Sequence, residues 1–368
     1  MNLNYAAWQV CFFFASGSVI FVLSSYFSAK VVEKLGVKHS MGLRSLAVGL
    51  YYVAIIFFLS ENFWWSVLLI FPFNIFRAFG SVSGQMAYDI FLSHHLTKKN
   101  RGGALASMQI AIMVSTVLAP IVGGFVTKYW GFNWTIIIAS VLFFGAFMVL
   151  LLTPDEKFKL PYTLKTVAYD TLHNTPKSLY LAEIGRTFFD SMLFLIWPLF
   201  LVLVVSDIAE IGVIAGLSSG VAMVVAFWVG KKIDKASGAS AAIVKHGAWR
   251  STFINLIRGL WWEPLSLGVI DAVSKINDQT IKLPYDVEFY KWVKAKDSLE
   301  RSHIRQILFQ TIWFLFILLY TLIFLVFQSA PAWVFFMIFV TSALTLTLCS
   351  NIARVPLSDT VEKPSRKS

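Results

Sequence analysis

The sequence contains few charged residues and almost no cysteine. Of its 368 residues, 14% are charged and 57% are hydrophobic, whereas soluble proteins average about 25% charged and roughly 45–50% apolar residues. The two cysteines, Cys11 and Cys349, both lie in apolar stretches, which excludes a disulfide framework and a cysteine-based metal cluster. The composition predicts an all-α protein that crosses a membrane many times.

Motifs for catalysis or nucleotide binding are also missing from the sequence. It has no G-x-x-x-x-G-K phosphate loop and no H-E-x-x-H zinc motif. His94 and His95 are adjacent, but further metal ligands are lacking. We therefore expect a protein that is not an enzyme, with no catalytic residues, cofactor or metal, and we disfavour a nucleotide-driven pump. A membrane-embedded enzyme would have to use the polar stretch 265–283, for which no reaction is indicated.

Long apolar stretches predict the number of membrane spans. About 20 mostly apolar helical residues cross a hydrocarbon core of roughly 30 Å. This rule gives eleven candidate spans, at residues 8–28, 42–60, 64–91, 104–127, 133–153, 181–204, 209–229, 241–260, 265–283, 305–328 and 333–353. We expect an N-terminal bundle (1–153), a linker (154–180), a C-terminal bundle (181–354) and a tail (355–368).

An internal repeat of 201 residues relates the two predicted bundles. The stretch Ala29-Lys30-Val31-Val32-Glu33-Lys34 returns in degenerate form as Gly230-Lys231-Lys232-Ile233-Asp234-Lys235. Shifting the first five spans by 201 residues places them on the last five, and only span 181–204 has no partner.

The two copies resemble the loop after the second helix of each half in the major facilitator superfamily, idealised as G-x-x-x-D-R-x-G-R-K. The matching positions are Glu33, Lys34 and Gly36 in the first copy and Gly230, Asp234 and Lys235 in the second. The resemblance implies two pseudo-symmetric helical bundles of five and six helices, with the first helix of the family pattern missing from this chain. It also implies that these residues take part in gating.

A second motif lies in the fourth span, where Ser115-x-x-x-Ala119-Pro120-x-x-Gly123-Gly124 is similar to the fifth-helix pattern of the same family. In that family the helix packs against the other half and helps to form the gate, and the motif is associated with antiporters. Small residues at this spacing also let helices approach closely, so packing or gating accounts for the motif without any transport coupling, and we favour it over an antiporter mark.

The distribution of basic residues predicts the orientation in the membrane. Of the 31 Lys and Arg residues, 24 fall in alternate connections and one, Lys128, falls in the other set. Cytoplasmic connections collect Lys and Arg, so we expect the N-terminus outside and the C-terminus in the cytoplasm, in a bacterial-type plasma membrane. The net charge of +11 is therefore explained by the orientation of the protein in the membrane and does not indicate nucleic-acid binding.

Three spans carry polar residues on a single helical face. Charged groups at the centre of a membrane helix cost about 2.5–3.5 kcal/mol each, so they are functional candidates. The resemblance implies that these three helices line a central cavity. The predicted cavity residues for substrate and coupling ion are Asn74, Arg77, Gln85, Arg186, Asp190, Asp271, Lys275 and Asp278.

The resemblance implies a secondary transporter that moves a small solute by alternating access, with proton coupling and a slight preference for an antiporter or efflux type. Arg77 would bind an anionic group of the substrate or a carboxylate at the equivalent depth of the other half, such as Asp278, while Asp190, Asp271 or Asp278 exchanges a proton. The alternative for these charges is a static ion-pair network that only holds the halves in register. The alternative function is a non-transporting or truncated membrane protein of this fold with a regulatory or assembly role. The expected partners are the solute, protons and the lipid bilayer.

Two further expectations concern the C-terminal bundle. Lys245, Arg250 and Arg258 lie in a weakly hydrophobic span, where we expect them to extend towards a membrane interface. Residues 284–304 mix aromatic and basic side chains, which is typical of a helix on the membrane surface or of a solvated loop.

Overall fold

The computed structural model describes residues 5–95, 101–152, 162–235, 239–258, 263–294, 298–329 and 331–355, together with positions 155, 157, 159 and 260. All regular elements in these ranges are helical. The first half consists of five long helices: α1 (Ala7–Leu35), α2 (Val37–Phe58), α3 (Phe63–His95), α4 (Arg101–Trp130) and α5 (Phe132–Leu151).

A short helix, α6 (Leu164–His173), precedes the second half, where the chain forms six long helical rods. The first rod is α7 (Lys177–Ser191), which continues through a π-helical turn into α8 (Trp197–Val204). The others are α9 (Ile208–Lys235), α10 (Ala239–Arg258), α11 (Pro264–Lys294), α12 (Ser298–Val326) and α13 (Ala332–Leu346), the last extended by a 3-10 segment to Arg354.

Helix boundaries in the two halves follow the sequence repeat. Helix α9 begins 201 residues after α1, α10 begins 202 after α2, α11 begins 201 after α3, α12 begins 197 after α4, and α13 begins 200 after α5. The pairings repeat as well: α2 packs on α3 and α5, as α10 packs on α11 and α13. The expected fold class, two pseudo-symmetric helical bundles, is confirmed.

Two helix pairs join the halves, and they are repeat counterparts of each other. Helix α1 packs along α12, and α9 packs along α4. Eight helical stretches among the described residues are long and apolar enough to cross a membrane. Helices α10 and α11 are long enough but too polar to meet that criterion, and the side chains in the first third of α4 fall outside the described part.

Helix α11 corrects the expectation for residues 284–304. It does not end at residue 283 but continues through Pro284 to Lys294. The aromatic side chains Phe289, Tyr290 and Trp292 are buried in the main hydrophobic core. The guanidinium of Arg305 covers the Phe289 ring, and that of Arg301 covers the Trp292 ring. A membrane-surface helix or solvated loop at these positions is therefore wrong.

Candidate functional site

The charged face of α7 meets the charged face of α11. The Arg186 guanidinium lies 2.7 Å from a carboxylate oxygen of Asp190 on its own helix and 2.7 Å from one of Asp278 on α11. The side chain of Arg186 is 7% exposed, and those of Asp190 and Asp278 are 30% and 13% exposed. Two carboxylates therefore share one buried arginine, with Asp190 the most open to solvent.

A second charge cluster joins α9, α10 and α11. Lys275 forms an ion pair with Asp271 at 2.9 Å and donates to the Ala215 carbonyl at 2.8 Å. Arg258, which is fully buried, lies 3.5 Å from Asp271 and stacks on the Trp197 ring at 4.0 Å. Asp271 is thus held between two cations.

Arg258 is a residue that sequence reasoning misplaced. Lys245 and Arg250 are exposed, as expected for side chains that extend to an interface, but Arg258 is not. Its position near the end of a weakly hydrophobic helix suggested exposure, whereas its acidic partner lies 13 residues further along the chain, on the next helix.

Arg77 occupies a different environment, within the first half. Its guanidinium lies over the rings of Tyr51 at 4.2 Å and Phe21 at 5.1 Å. Within the described part of the chain, no carboxylate lies within 4 Å of it. Its Nε, and the Oδ1 of buried Asn74 one turn away, have no hydrogen-bond partner. The structure therefore does not bring Arg77 to Asp278, which pairs with Arg186.

Gln85 belongs to a contact between the halves at one end of the molecule. We call that end of the molecule the basic end. It is the end at which three helix junctions lie: α1–α2 (Leu35–Val37), α9–α10 (Lys235–Ala239) and α11–α12 (Lys294–Ser298). Gln85 accepts from Arg44 at 3.0 Å and donates to Asp89 at 3.2 Å. Asp89 also accepts from the Tyr290 hydroxyl of α11 at 3.0 Å.

Asp89 and Tyr290 are separated by 201 residues, the repeat length. Repeat-related residues that touch each other lie next to the pseudo-two-fold axis, so α3 and α11 converge at this point. Arg77 and Asp278, which are also 201 residues apart, lie twelve residues further from the basic end and do not touch. The central face between the halves is therefore closed at the basic end.

A second contact closes the same end. The buried His303 of α12 makes a hydrogen bond through Nε2 with the Ser25 carbonyl of α1 at 2.7 Å. Nearby, Arg305 bridges Glu183 at 3.1 Å and Asp286 at 3.6 Å. Sequence reasoning did not predict that Asp89, Tyr290, His303 and Arg305 make contacts at this end. Adding the repeat length of 201 residues to Asp89 would have identified Tyr290 as its counterpart.

The first copy of the repeated loop motif is anchored by the linker. Gly36 has φ +90°, and a Cβ at this position would collide with the Asp155 carboxylate. That carboxylate accepts from the backbone N–H of Lys38 at 2.7 Å and of His39 at 3.4 Å, which caps the N-terminus of α2 where negative charge is favourable. Glu33 and Lys34 lie in the last turn of α1.

In the second copy, Gly230, Asp234 and Lys235 lie at the end of α9, and their side chains fall outside the described part of the structure.

Pro120 and Gly124 of the fourth-span motif lie at the close contact between α4 and α9, whereas Gly123 faces Thr135 of α5. A Cβ on Gly124 would come within 3.0 Å of the Ile208 carbonyl oxygen, and one on Gly212 would overlap the Pro120 carbonyl. Ala119 and Gly123 belong to the same stretch of α4. The matching stripe on α9, Gly212-x-x-x-Gly216-x-x-x-Gly220, was overlooked, although its four-residue period is a recognised packing signal.

At the end opposite the basic end, an exposed ion pair links the halves. Lys128 at the end of α4 contacts Asp207, just before α9, at 2.5 Å. The hydrogen bond from Lys128 lowers the pKa of Asp207, and the same bond raises the pKa of Lys128.

Comparisons with known proteins agree with this architecture. The sequence matches the Major Facilitator Superfamily model over residues 1–257. Among solved structures, 160 chains match, including the human organic anion transporter MFSD10 (TETRAN), with 13% identity, a TM-score of 0.66, and coverage of 94% of this chain and 83% of that one. No curated protein sequence matches. At this identity the structural match shows the fold, and the sequence match over more than half of the chain shows the family: the protein belongs to the Major Facilitator Superfamily of membrane transporters.

Proposed function

We propose that this protein is a secondary transporter that moves a small anionic solute by alternating access, with Arg77 binding the anionic group. The human relative is described as an organic anion transporter, and the same broad class of solute suits the charges of this chain.

The environment of Arg77 carries this proposal. A buried guanidinium is costly unless an anion compensates it, and stacking on Tyr51 and Phe21 supplies part of the compensation. The acids on the polar faces of α7 and α11 already have partners: Arg186 holds Asp190 and Asp278, and two cations hold Asp271. A solute anion is therefore the natural counter-ion for Arg77, and a carboxylate or phosphate matches its planar donors.

Proton coupling is proposed at the cluster of Arg186, Asp190 and Asp278. One guanidinium beside two carboxylates leaves one negative charge that Arg186 does not neutralise, and uptake of one proton removes it. Asp190 is the member with the largest exposed fraction, 30%, so it is the group that exchanges the proton. Lys282 lies close enough to contribute a further positive charge.

Alternating access would require the contacts at the basic end to separate. The hydrogen bonds of Tyr290 with Asp89 and of His303 with Ser25 hold that end together. Each is worth about 0.5–1.5 kcal/mol net, or somewhat more when a carboxylate accepts. These are energies that solute binding can overcome.

We also propose that the basic end faces the cytoplasm, because Lys and Arg are concentrated in its connections. Reporter fusions after Glu61, Asp207 and Glu263 should read extracytoplasmic, and fusions after Lys235 and Lys294 should read cytoplasmic. Two reversed readings would contradict the orientation.

Uptake into proteoliposomes tests the function. The full chain is reconstituted and offered carboxylate, phosphate-bearing, neutral and cationic solutes under imposed proton gradients of either sign. We expect anionic solutes to move, with an initial rate that depends on the gradient. Arg77→Gln should lower that rate at least tenfold, and Arg77→Lys should lower it less.

Two variants separate binding from coupling. Asp190→Asn should preserve solute exchange in the absence of a gradient while removing the response to pH. Lys165→Gln, a change at an exposed lysine of α6, is the control and should change nothing. Unchanged anion transport in Arg77→Gln would refute the role of Arg77. Folded protein that moves no solute under any gradient would favour the non-transporting alternative.

A further inference from the structure

A groove on the outer surface of the second half lies between α9, α10 and α11. Its volume is about 590 Å³, and it is lined by Val229 of α9, by His246, Trp249, Arg250 and Phe253 of α10, and by Thr280 of α11. Trp249 and Phe253 are 53% and 64% exposed. In a membrane-spanning protein, such an apolar, outward surface faces lipid.

Arg250 gives this groove a positive charge that the protein does not balance. Its guanidinium donates to the Thr280 hydroxyl at 3.4 Å, and no acid within the described ranges lies within 4 Å. Lys245 is exposed too. On a helix with 100° per residue it falls 40° from Trp249, at the edge of the same face. Two cations thus border one apolar groove.

The position of the groove along α10 suits a lipid headgroup. Helix α10 starts at Ala239, at the basic end, so Lys245 lies about 9 Å and Arg250 about 16 Å from the start of the helix at 1.5 Å per residue. Long basic side chains at this depth reach back to the headgroup layer while their stems cover apolar surface. The exposed aromatic rings lie further along the helix.

A lipid phosphate satisfies both requirements of this surface. An unpaired cation facing lipid is unfavourable, and a guanidinium binds a phosphate through parallel hydrogen bonds. Basic pockets between transmembrane helices are typical sites for anionic headgroups. The apolar part of the groove offers contact to the upper part of the acyl chains.

We propose that this groove binds an anionic phospholipid, with Arg250 contacting the phosphate, Lys245 adding positive charge at the edge of the groove, and Trp249 and Phe253 contacting the chains. The proposal does not depend on the solute or on the coupling ion. It assigns a role to two charged residues that the central site leaves unused.

Lipid retention measures this binding. The full chain is placed in nanodiscs of equal parts phosphatidylglycerol and phosphatidylcholine, released, and analysed by native mass spectrometry. We expect phosphatidylglycerol to be retained in several-fold excess. The double variant Lys245→Gln with Arg250→Gln should lose that excess, Arg250→Lys should keep most of it, and the exposed-lysine control Lys165→Gln should keep all of it.

Three results would overturn the proposal: equal retention in the wild type and the double variant, an equal loss in the Lys165→Gln control, or displacement of the lipid by millimolar inorganic phosphate alone. If the double variant aggregates, the single variants Lys245→Gln and Arg250→Gln are scored by the same criteria. Trp249→Ala removes an apolar wall without changing charge. It should reduce retention of both lipids while preserving the preference for phosphatidylglycerol.

Discussion

The two halves of this protein share helix boundaries but differ in how well their outer helices are covered. Helix α5 has two buried residues, Ile136 and Ser140, in its 20. Its repeat counterpart α13 buries seven of 15. In the second half, α7 packs against both α12 and α13, whereas the described part of the first half contains no helix in the equivalent place. Helix α4 packs mainly on α9, across the interface.

The halves also differ in their charges. The second half pairs its buried charges internally, through Arg186 with two acids and Asp271 with two cations. The first half holds Arg77 against two aromatic rings, one turn from the unsatisfied amide oxygen of Asn74. In the function proposed above, the second half provides the charged framework and the first half provides the site that a solute completes.

The largest expected loss of stability comes from a substitution that disrupts the charged framework of the second half. Arg258→Met leaves Asp271 with one cation fewer in a fully buried setting and removes the stack on Trp197. Lys275 stays paired with Asp271, so the cost lies below the about 3–5 kcal/mol of a buried charge left without any partner, and loss of the desolvated cation–π stack adds about 2 kcal/mol. The thermal midpoint of the purified protein in detergent should fall sharply.

Arg77→Met is the matched variant in the first half. Because Arg77 has no acidic partner within the described residues, its loss leaves no unpaired carboxylate, and the thermal midpoint should change little or rise. Equal losses in Arg258→Met and Arg77→Met would contradict the distinction between the halves.

The second prediction concerns the α4–α9 contact, on which the first half depends. A Cβ at Gly212 would overlap the Pro120 carbonyl, so Gly212→Ala should destabilise the protein by about 1–3 kcal/mol. Gly145→Ala on α5 is the control, since nothing lies within 4 Å of its added Cβ. The measurement is the difference in thermal midpoint between Gly212→Ala and Gly145→Ala. Equal midpoints would show that the α4–α9 interface accommodates the added methyl group without loss of stability.

Much of this fold could be predicted from the sequence, because periodic apolar stretches and the 201-residue repeat are local signals. Long-range partners could not. The repeat placed Arg77 and Asp278 at equivalent depths, but whether they meet depends on how far α3 and α11 diverge from Asp89 and Tyr290.

Burial was equally hard to predict at the helix ends. The sequence predicted an interfacial position for Arg258 and for the aromatic residues after Pro284, because polar residues are their neighbours in the sequence. Their burial follows from α10 and α11 packing against other helices. Such packing is set by tertiary structure, and no short window of sequence contains it.

The third prediction tests the closed basic end. Tyr290→Phe removes the hydrogen bond to Asp89, worth about 1 kcal/mol, and should increase access to the central face from that end severalfold. Ser81→Cys on α3 is the reporter, since Cys11 and Cys349 are both fully buried. Labelling of Ser81→Cys by a membrane-impermeant maleimide in vesicles with the basic end outward is the measurement. Tyr169→Phe at an exposed site on α6 is the control, and equal labelling in both would exclude a gating role for Tyr290.

The smallest expected effect lies at the opposite end, where Lys128 and Asp207 link the halves in water. The folded pKa of Asp207 is lowered by the hydrogen bond from Lys128, so the pair stabilises the fold above the ordinary aspartate pKa of about 3.9. That contribution disappears as the pH falls through the lowered value. The pKa of Lys128 is raised, so the contribution is present below the ordinary lysine pKa of about 10.4 and is lost as the pH rises through the raised value. Exposed pairs are weak and screened by salt. The thermal midpoints of the wild type and Lys128→Gln should therefore differ slightly and evenly between about pH 5 and 9. They should converge once the pH falls below the lowered pKa of Asp207, or in about 1 M salt. A difference that persists under both conditions would mean that Lys128 stabilises the junction by packing and not by charge.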